Sequence, residues 1–430
     1  MKKNLVVLVC LLGFYLHTFG QDTLKVMYYN ILEYPLSPST KAVYLQTIFD
    51  YYHPDVLVCD EVVSDAVAID ILNNVINVTP GNNYAKAVFT DGPDKDNMLF
   101  YNQNKVTMDY QTFIPTALRY INRYRLHYNS ISPDNIYLDF YAAHLKASQG
   151  FEQDRYLECI EFENYITSNT LGQNIIFGGD FNLYTSTEPA YQLLLVPSNN
   201  AYALYDPINT PGIWNNTASF SAVHTQSTHL NTSGGFIGGG LDDRFDFMLV
   251  SNDLHLPASN VHYITNSYQA LGNDGLHFNK NLTDLPLSTT VPENVTNALY
   301  NMSDHLPVVM KLAVNANSTQ TEPTNYPANF SSTNIKLHWA DATGVNLPTG
   351  YLIRMSSVSF NAIQAPTDRT PVPDSPTDKN AAYGKQEVWF SNLSPNTIYY
   401  FKIYSYTGSG SSINYKTDGT IPQIQLKTTP

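Results

Sequence analysis

The pattern of hydrophobic and polar positions divides the chain into a mixed first part and an all-β last part. From Leu24 to about Val314, short apolar runs typical of strands alternate with segments whose apolar residues recur at helical spacing. The first such unit has strand-like runs at residues 24–31 and 55–59 around a helical segment at 41–52. This alternation favours a layered α/β fold in which sheets are sandwiched between helices.

The same alternation continues along the first part and is broken by two long polar loops. Helices are predicted at residues 66–78 and 151–166, and strands at 98–101, 137–143 and 174–177. The loops, at about 209–243 and 266–301, are rich in Asn, Thr, Ser and Gly, and recognition often depends on loops of this kind.

The last part contains only short strand candidates. Residues 315–327 are rich in Asn, Ser, Thr, Gln and Pro and are interpreted as a linker. The candidate strands after it lie at residues 335–339, 351–355, 386–390, 399–406 and 423–427. Short strands separated by turn signals predict a small all-β, immunoglobulin-like sandwich over residues 328–430.

The N-terminus has the pattern of a secretory signal. Lys2 and Lys3 precede an apolar run from Leu5 to Phe19, which is short for a membrane span, and Gly20 then precedes a polar start. We expect residues 1–20 to be a signal peptide cleaved after Gly20, with an uncleaved anchor as the alternative. The mature chain, residues 21 onward, is then expected to be secreted to the periplasm or outside, without a transmembrane segment, as a monomer.

The charge balance argues against a simple polyanion-binding surface. The formal net charge is −14, which repels polyanions at long range. A nucleic-acid substrate therefore needs local help, and a bound divalent cation can reverse the sign of the field that a phosphate experiences.

Polar residues of the first part fall at or beside the ends of predicted strands, where side chains from separate strands can converge. These residues are Asn30, Glu61, His144, Asp180, Asn182, Asp246, Asp304 and His305. Carboxylate and amide oxygens suit a hard divalent cation such as Mg²⁺, and zinc-ligand spacing is absent. The two histidines can serve as a general base or as a cation facing phosphate.

Six sequence blocks resemble, in order, the signature blocks of the endonuclease/exonuclease/phosphatase superfamily, to which deoxyribonuclease I belongs. The match spans about residues 24–314. The blocks are Tyr29-Asn30, Asp60-Glu61, His144-Leu145-Lys146, Gly178-Gly179-Asp180-Phe181-Asn182, Arg244-Phe245-Asp246-Phe247 and Ser303-Asp304-His305-Leu306-Pro307. The resemblance implies a four-layered α/β sandwich and hydrolysis of phosphoric esters.

The resemblance also implies which residues bind a metal ion. Asn30 and Glu61 correspond to the family's metal-binding Asn and Glu, and Asp304 is a third candidate ligand. The metal expected is Mg²⁺, with Mn²⁺ or Ca²⁺ as alternatives.

Catalytic roles follow from the same resemblance. Asp180 and Asn182 would orient the attacking water and contact the phosphate. His305, held by Asp246, would face the scissile phosphate, and His144 would assist the leaving oxygen from the other side.

Other positions depart from the family's pattern or leave it open. Asp60 stands where many members have Gln, which adds negative charge near the metal. A basic or aromatic site residue could be Arg119, Arg123 or Tyr124, and Arg123 is favoured. Asp96 is a guess for the carboxylate partner of His144.

The last part resembles fibronectin type III domains. Residues 393–399 are similar to the tyrosine-corner turn of those domains, and Trp339 stands where they bury an aromatic side chain. The resemblance implies a fold and no chemistry.

Three functional hypotheses follow. The first is a secreted, metal-dependent endonuclease acting on DNA or RNA, and the second is a phosphodiesterase or phosphatase acting on lipid or small-molecule phosphoesters. The third, of another class, is a catalytically inactive adhesion or glycan-binding protein that contacts its partner through the last domain.

Overall fold

The computed structural model describes residues 22–35, 39–129, 136–169, 173–196, 202–255, 261–314, 329–342, 348–417 and 421–429. The predicted signal peptide, residues 1–20, and the predicted linker, residues 315–327, lie outside these ranges. Within them, no helix has the length and apolar character needed to cross a membrane.

Strands and helices alternate through the first part, as the sequence pattern predicts. The strands are β1 (Asp22–Asn30), β2 (Val56–Val62), β3 (Tyr84–Lys86), β4 (Asp96–Asn102), β5 (Val106–Ile114), β6 (Ile121–Tyr128), β7 (Ile136–Ala142), β8 (Ile175–Asp180), β9 (Asp246–Val250), β10 (Val261–Tyr263), β11 (Gln269–Ala270) and β12 (Val308–Val314). The helices are α1 (Thr40–Tyr52), α2 (Asp65–Ile71), α3 (Glu152–Ser168), α4 (Pro189–Leu195), α5 (Asn252–His255) and α6 (Glu293–Met302).

These strands form two sheets that pack face to face. The first sheet has the order β10-β12-β1-β2-β4-β3, with β11 beside β12, and the second has the order β5-β6-β7-β8-β9. Tyr28 on β1 spans the interface, since its hydroxyl donates to the carbonyl of Tyr141, just 3.0 Å away on β7. Val26, Phe140 and Met248 are fully buried in the same core.

Helices cover the two outer faces, which makes four layers. Helix α1 begins after Ser39, whose hydroxyl accepts from the Lys41 amide, and it buries Leu45, Ile48 and Phe49 at helical spacing in the core that includes the first sheet. Helix α6 packs beside α1.

On the other side, Phe162 of α3 stacks on Phe177 of β8 with ring centroids 4.0 Å apart. Helix α4 packs beside α3, and both contribute to a second core against the outer face of the second sheet. The expected four-layered α/β sandwich is confirmed.

The topology brings the predicted polar residues to one edge. Strands β1 and β2 run parallel, and so do β7 and β8, so each pair ends at a common edge of its sheet. Asn30 ends β1, Asp180 ends β8, and His144 follows β7. In β2 the pairing register shifts between Cys59 and Val62, and Glu61 takes a positive φ of 61°. A bulge of this kind re-aims a side chain.

The last part is an all-β sandwich. One sheet has the order β13-β14-β17 and the other β16-β15-β18-β19, with β20 also beside β18. The strands are β13 (Asn329–Phe330), β14 (Asn334–His338), β15 (Gly350–Ser356), β16 (Asp378–Ala382), β17 (Glu387–Ser391), β18 (Ile398–Thr407), β19 (Asn414–Tyr415) and β20 (Gln423–Lys427). Phe390 and Phe401 join the two sheets with ring centroids 5.1 Å apart.

Two aromatic residues singled out in the sequence have the expected structural positions. The Tyr399 hydroxyl accepts from the Ser394 amide at 2.8 Å, which is the hydrogen bond of a tyrosine corner. Trp339 is buried and packs edge-on against Tyr351. The all-β sandwich is thereby confirmed, whereas its fibronectin type III character stays a prediction.

Candidate active site

One carboxylate oxygen lies between the two histidines. Oδ2 of Asp180 is 3.5 Å from Nε2 of His144 and 3.6 Å from Nε2 of His305. All three residues are buried, with at most 5% of their surface exposed. Burial raises the pKa of Asp180 to about 7, although the charge of His305 acts in the opposite direction. Asp180 therefore changes charge near neutral pH, as a general base should.

His305 is held in the charged form by carboxylates. Its Nδ1 lies 2.8 Å from Oδ2 of Asp246. Burial disfavours the charged ring, but Asp246 and Asp180 together raise the pKa of His305 well above its ordinary value. The Asp246 backbone amide in turn donates to the Thr225 hydroxyl at 3.1 Å. His305 is thus an oriented imidazolium whose Nε2 faces Asp180.

His144 has the opposite electrostatic environment. Burial lowers the pKa of its imidazole well below the ordinary value, and the charges of Arg119, His305 and Lys95 lower it further. Its Nδ1 has no hydrogen-bond partner among the described residues, and the nearest recorded carboxylate is Oε1 of Glu61 at 3.9 Å. The site therefore pairs a neutral histidine with a charged one, a separation typical of acid–base chemistry.

The guess that Asp96 is the partner of His144 is wrong. The Asp96 carboxylate accepts from the Gly92 amide at 2.8 Å and has no recorded contact with His144. The Asp96 carboxylate instead accepts a hydrogen bond within the turn before β4, which contains Gly92.

Asn30 joins the first sheet to the second across the site. Its Nδ2 is 3.2 Å from Oε1 of Glu61 and 3.2 Å from Oδ2 of Asp180. Oε2 of Glu61 forms a 2.9 Å ion pair with Lys95, which also lies 2.9 Å from Glu33. Lys95 had not been singled out in the sequence, since a lone lysine before a strand gives no signal of its partners.

Asp304 stands beside this group with one oxygen unused. Its Oδ2 accepts from the Ile237 amide at 3.0 Å, whereas its buried Oδ1 has no hydrogen-bond partner in the part of the chain that the structure describes. The Ser303 hydroxyl next to it donates to the Asn30 carbonyl at 2.7 Å. This bond ties the Ser303–His305 turn to the end of β1.

Asn182 and Asp60 hold Asp180 in place. The Asn182 amide donates to Oδ1 of Asp180 at 3.1 Å, and its side-chain Nδ2 donates to the Leu145 carbonyl at 3.2 Å. Oδ2 of Asp60 accepts from the Asp180 amide at 2.9 Å. Burial and then the charge of Asp180 raise the pKa of Asp60 well above its ordinary value, so this acid favours its neutral form.

The prediction of Arg123 as a site residue is wrong. Its guanidinium pairs with Asp139 at 2.8 Å and donates to the Tyr165 hydroxyl at 3.1 Å, on the side of the second sheet that faces α3. Arg119, one of the alternatives, instead donates to the carbonyls of His144 and Leu145, each at 3.2 Å. Sequence spacing could not choose between the two arginines because both precede the His144 block, Arg119 just before β6 and Arg123 within it.

Gln226 is a second neighbour of the site that sequence reasoning missed. Its Nε2 lies 2.7 Å from Nε2 of His305. The composition of the polar loop at 209–243 predicts a recognition element but does not distinguish this residue within it.

The donor set suits a hard divalent cation in part. Glu61, Asp180 and the Asn30 amide lie together, and Oδ1 of Asp304 is buried without a partner. Carboxylate and amide oxygens are the ligands that Mg²⁺ prefers. Among the described residues, no group of three or more His, Cys, Asp or Glu side chains is already arranged around a metal position. In this structure the positive charge next to the Glu61 carboxylate is the Lys95 ammonium, 2.9 Å away.

Comparisons with known proteins give structural similarity only. No protein-family model matches the chain, and no curated protein matches its sequence. The human Nocturnin catalytic domain with bound sulfate is 18% identical, with 68% of this chain and 97% of that chain covered and a TM-score of 0.42. TDP2 from D. rerio, complexed with single-strand DNA product, is 14% identical, with 68% and 99% covered and a TM-score of 0.43.

A third similar structure covers more of this chain. An endonuclease/exonuclease/phosphatase from Beutenbergia cavernae is 12% identical, with 94% of this chain and 99% of that chain covered and a TM-score of 0.40. Structures similar to this chain thus include members of the superfamily that the sequence blocks resemble. At these identities and scores they carry no conclusion about what this chain does.

Proposed function

We propose that residues 21–314 form a metal-dependent phosphoric-ester hydrolase of the endonuclease/exonuclease/phosphatase type, with DNA or RNA as the first substrate class. One observation supports this proposal most strongly. Oδ2 of Asp180 lies within 3.6 Å of Nε2 of both histidines, of which His305 favours the charged form and His144 the neutral form. A buried base between a cation and a neutral imidazole suits attack of water on a phosphoryl group.

Each residue of this group has a task that its environment supports. Asp180, when ionised, accepts a proton from the attacking water. His305 directs its Nε2 proton at a non-bridging phosphoryl oxygen, since Asp246 fixes the other ring nitrogen. Asn182 is held beside Asp180 and contacts the phosphate. A neutral His144 can donate a hydrogen bond to the leaving oxygen, which stabilises developing charge without requiring a cationic acid.

A divalent cation would be held by Asn30 and Glu61, with Asp304 as a third candidate. When bound, it would neutralise charge on the phosphoryl oxygens. Mg²⁺ is the ion we propose, with Mn²⁺ or Ca²⁺ as alternatives, because the donors are oxygens.

The test is hydrolysis of plasmid DNA, RNA and bis-p-nitrophenyl phosphate by the full chain, with Mg²⁺, with Mn²⁺ and with chelator. We expect metal-dependent cleavage of nucleic acid that falls by roughly 10²- to 10⁴-fold in His305→Ala. Lys379→Ala, a change in the last part of the chain, is the matched control. Absence of hydrolysis on every substrate would favour the inactive binding-protein hypothesis instead.

A second substrate class is small-molecule or lipid phosphoesters, and the acidic residues near His305 favour it. Burial raises the pKa of Asp243 to about 6 despite the charge of His305, so this carboxyl is mostly ionised near His305 at neutral pH. Carboxylates at this position repel a polyanion more than a small ester. Turnover of bis-p-nitrophenyl phosphate without cleavage of DNA or RNA would support this class.

Export and the role of the last part belong to the same proposal. The N-terminal pattern supports secretion to the periplasm or outside, and we propose that the secreted chain is a monomer. The β-sandwich is proposed to contact a surface or glycan, a role that deletion and binding assays can examine separately from catalysis.

A further inference from the structure

A stacked pair of aromatic rings lies where β5 ends and β6 is about to begin. The rings of Phe113 and Tyr120 are nearly parallel, with an interplanar angle of 14° and centroids 4.4 Å apart. Neither ring is part of the hydrophobic cores that the described residues of the first part form. Phe113 keeps 39% of its surface exposed, although Tyr120 covers one face of its ring. The other side of the Phe113 ring is therefore open to solvent.

Strand pairing places this stacked pair at the same sheet edge as the candidate site. Phe113 pairs with Asn122 of β6, and Asn122 pairs in turn with Ala142, the last residue of β7. Phe113 is thus two strand spacings, about 10 Å, from the strand end that His144 follows. The turn between β5 and β6 therefore lies at the rim of the site.

Two neighbours connect the stacked pair to residues of the site. Arg119, which precedes Tyr120, donates to the carbonyl of His144 at 3.2 Å. Gly92 lies against the Tyr120 ring, since a Cβ on this glycine would be 3.3 Å from Cδ2 of that ring. Gly92 belongs to the turn before β4, which also carries Lys95, the ion-pair partner of a candidate metal ligand. A substrate whose phosphoryl group lies in the site thus has the stacked pair beside it.

We propose that the open side of Phe113 stacks on an unpaired nucleobase next to the scissile phosphate, so that the substrate is a single-stranded nucleic acid. This inference rests on the proposed function and narrows its first substrate class. A flat apolar ring with one free side suits a planar ligand, and every nucleobase has a π-face. A base inside a duplex is already stacked on both sides, so an unpaired base is the one that fits.

Stacking suits a chain whose charge opposes nucleic acid. The net charge of −14 repels a polyanion, and the nearby Arg119 guanidinium is already paired with Asp94 at 2.9 Å. A contact between a neutral ring and a neutral base releases no counterions, unlike a contact with phosphate. Phe113 therefore contributes to affinity in a way that salt does not screen.

The test measures the affinity of a short thymidine oligonucleotide by fluorescence anisotropy, with Mg²⁺, in a full-length His305→Ala parent chain that prevents cleavage. Phe113→Ala should weaken binding about tenfold, the value of one stacked base. An abasic oligonucleotide of the same length keeps the phosphates and lacks the bases, so Phe113→Ala and the parent should bind it equally.

Tyr110→Ala is the matched control. Tyr110 is an exposed aromatic residue of the same strand, but its ring meets the Arg123 guanidinium and not Tyr120. This variant should bind both oligonucleotides as the parent chain does.

Two further variants and thermal unfolding separate stacking from packing. Phe113→Leu keeps an apolar side chain without a flat ring, so it should lose affinity for the thymidine oligonucleotide as Phe113→Ala does. Phe113→Trp should bind at least as tightly as the parent chain. If Phe113→Ala unfolds, the Leu and Trp variants decide the matter. The ratio of parent to variant affinity should stay the same when salt is raised.

The inference is overturned if the parent chain binds base-bearing and abasic oligonucleotides equally, or if a folded Phe113→Leu keeps the parent's affinity. Either result leaves the proposed hydrolase function intact, because hydrolysis of bis-p-nitrophenyl phosphate by the wild-type chain tests that function separately. Absence of this hydrolysis, with base-dependent binding retained, would overturn the proposed function and with it the place of the stacked base next to a scissile phosphate.

Discussion

At the scale of single residues, the site depends on unequal environments for chemically similar groups. His144 and His305 are both buried beside Asp180, and burial favours the neutral form of each ring; Asp246 and Asp180 nevertheless raise the pKa of His305, whereas the charges of nearby cations lower the pKa of His144 further. Burial therefore favours a neutral His144, whereas carboxylate partners overcome the same burial effect at His305. Burial likewise raises the pKa of both Asp180 and Asp60; the charge of His305 opposes the shift at Asp180, whose pKa is raised to about 7, whereas the charge of Asp180 adds to the shift at Asp60.

The raised pKa of Asp180 predicts that catalytic activity falls as the pH is lowered. A protonated Asp180 cannot accept a proton, so kcat/KM should fall about tenfold per pH unit below about 7 and level off above it. The upper limit comes where His305 loses its proton, well above its ordinary pKa. A pH series with bis-p-nitrophenyl phosphate checks this, and a flat profile between about pH 5 and 8 would contradict a role for Asp180 as base.

Replacing the two arginines should separate an active-site neighbour from a structural residue. Arg123→Met leaves Asp139 with only Arg125, 3.0 Å away, so the free energy of unfolding should fall by about 3 kcal/mol while kcat/KM stays within about twofold. Arg119→Met removes a cation that lowers the pKa of His144, so kcat/KM should fall about tenfold.

Urea unfolding and steady-state kinetics on both arginine variants provide the measurements. The reverse result, with activity lost in Arg123→Met and kept in Arg119→Met, would support Arg123 as the site residue instead of Arg119.

At the scale of elements, strand ends and their irregularities place the site. The parallel pairs β1/β2 and β7/β8 bring their ends together, and the bulge at Glu61 breaks strand alternation so that this side chain reaches Asn30. Gly179 allows the end of β8 to lie very close to the backbone of Ala143, which follows β7. A Cβ on Gly179 would lie 2.1 Å from the Ala143 carbonyl oxygen, at a φ of +130°.

Gly179→Ala should therefore damage the site by moving these strand ends apart. We expect the free energy of unfolding to fall by roughly 1–3 kcal/mol or more, and kcat/KM to fall about 100-fold, because His144 follows Ala143 and Asp180 follows Gly179. Gly150→Ala is the matched control, since Gly150 also has a positive φ but a Cβ there would meet nothing within 4 Å. Equal effects of the two changes would mean that backbone strain alone, and not the clash, matters.

At the scale of the whole molecule, every residue of the candidate site comes from the first part of the chain. The β-sandwich has its own core, in which Leu337, Phe390 and Phe401 are buried together. The net charge of −14 affects substrates that carry many charges more than those that carry one or two.

Deleting residues 315–430 should therefore leave hydrolysis of bis-p-nitrophenyl phosphate unchanged within about twofold, because no donor or charge of the site is removed. Steady-state kinetics with and without the deletion check this, and circular dichroism confirms that the shortened chain is folded. A large loss of activity in a folded, shortened chain would show that the last part supports the site.

The sequence by itself determined the layered α/β class, the all-β last part and most of the polar residues that meet at the site. It could do so because strand and helix periodicities are local, and because residues that end parallel strands must meet at one edge. Strand β5 was not predicted, since most of its residues are exposed or half-buried and it shows little alternation.

Only the tertiary structure decided which neighbours complete the site. Arg119 rather than Arg123 lies beside His144, Lys95 pairs with Glu61, and Gln226 meets His305. Each of these contacts joins segments distant in sequence. The opposite pKa directions of the two histidines also depend on the tertiary structure, because burial lowers the pKa of His144 and the carboxylates of Asp246 and Asp180 raise the pKa of His305.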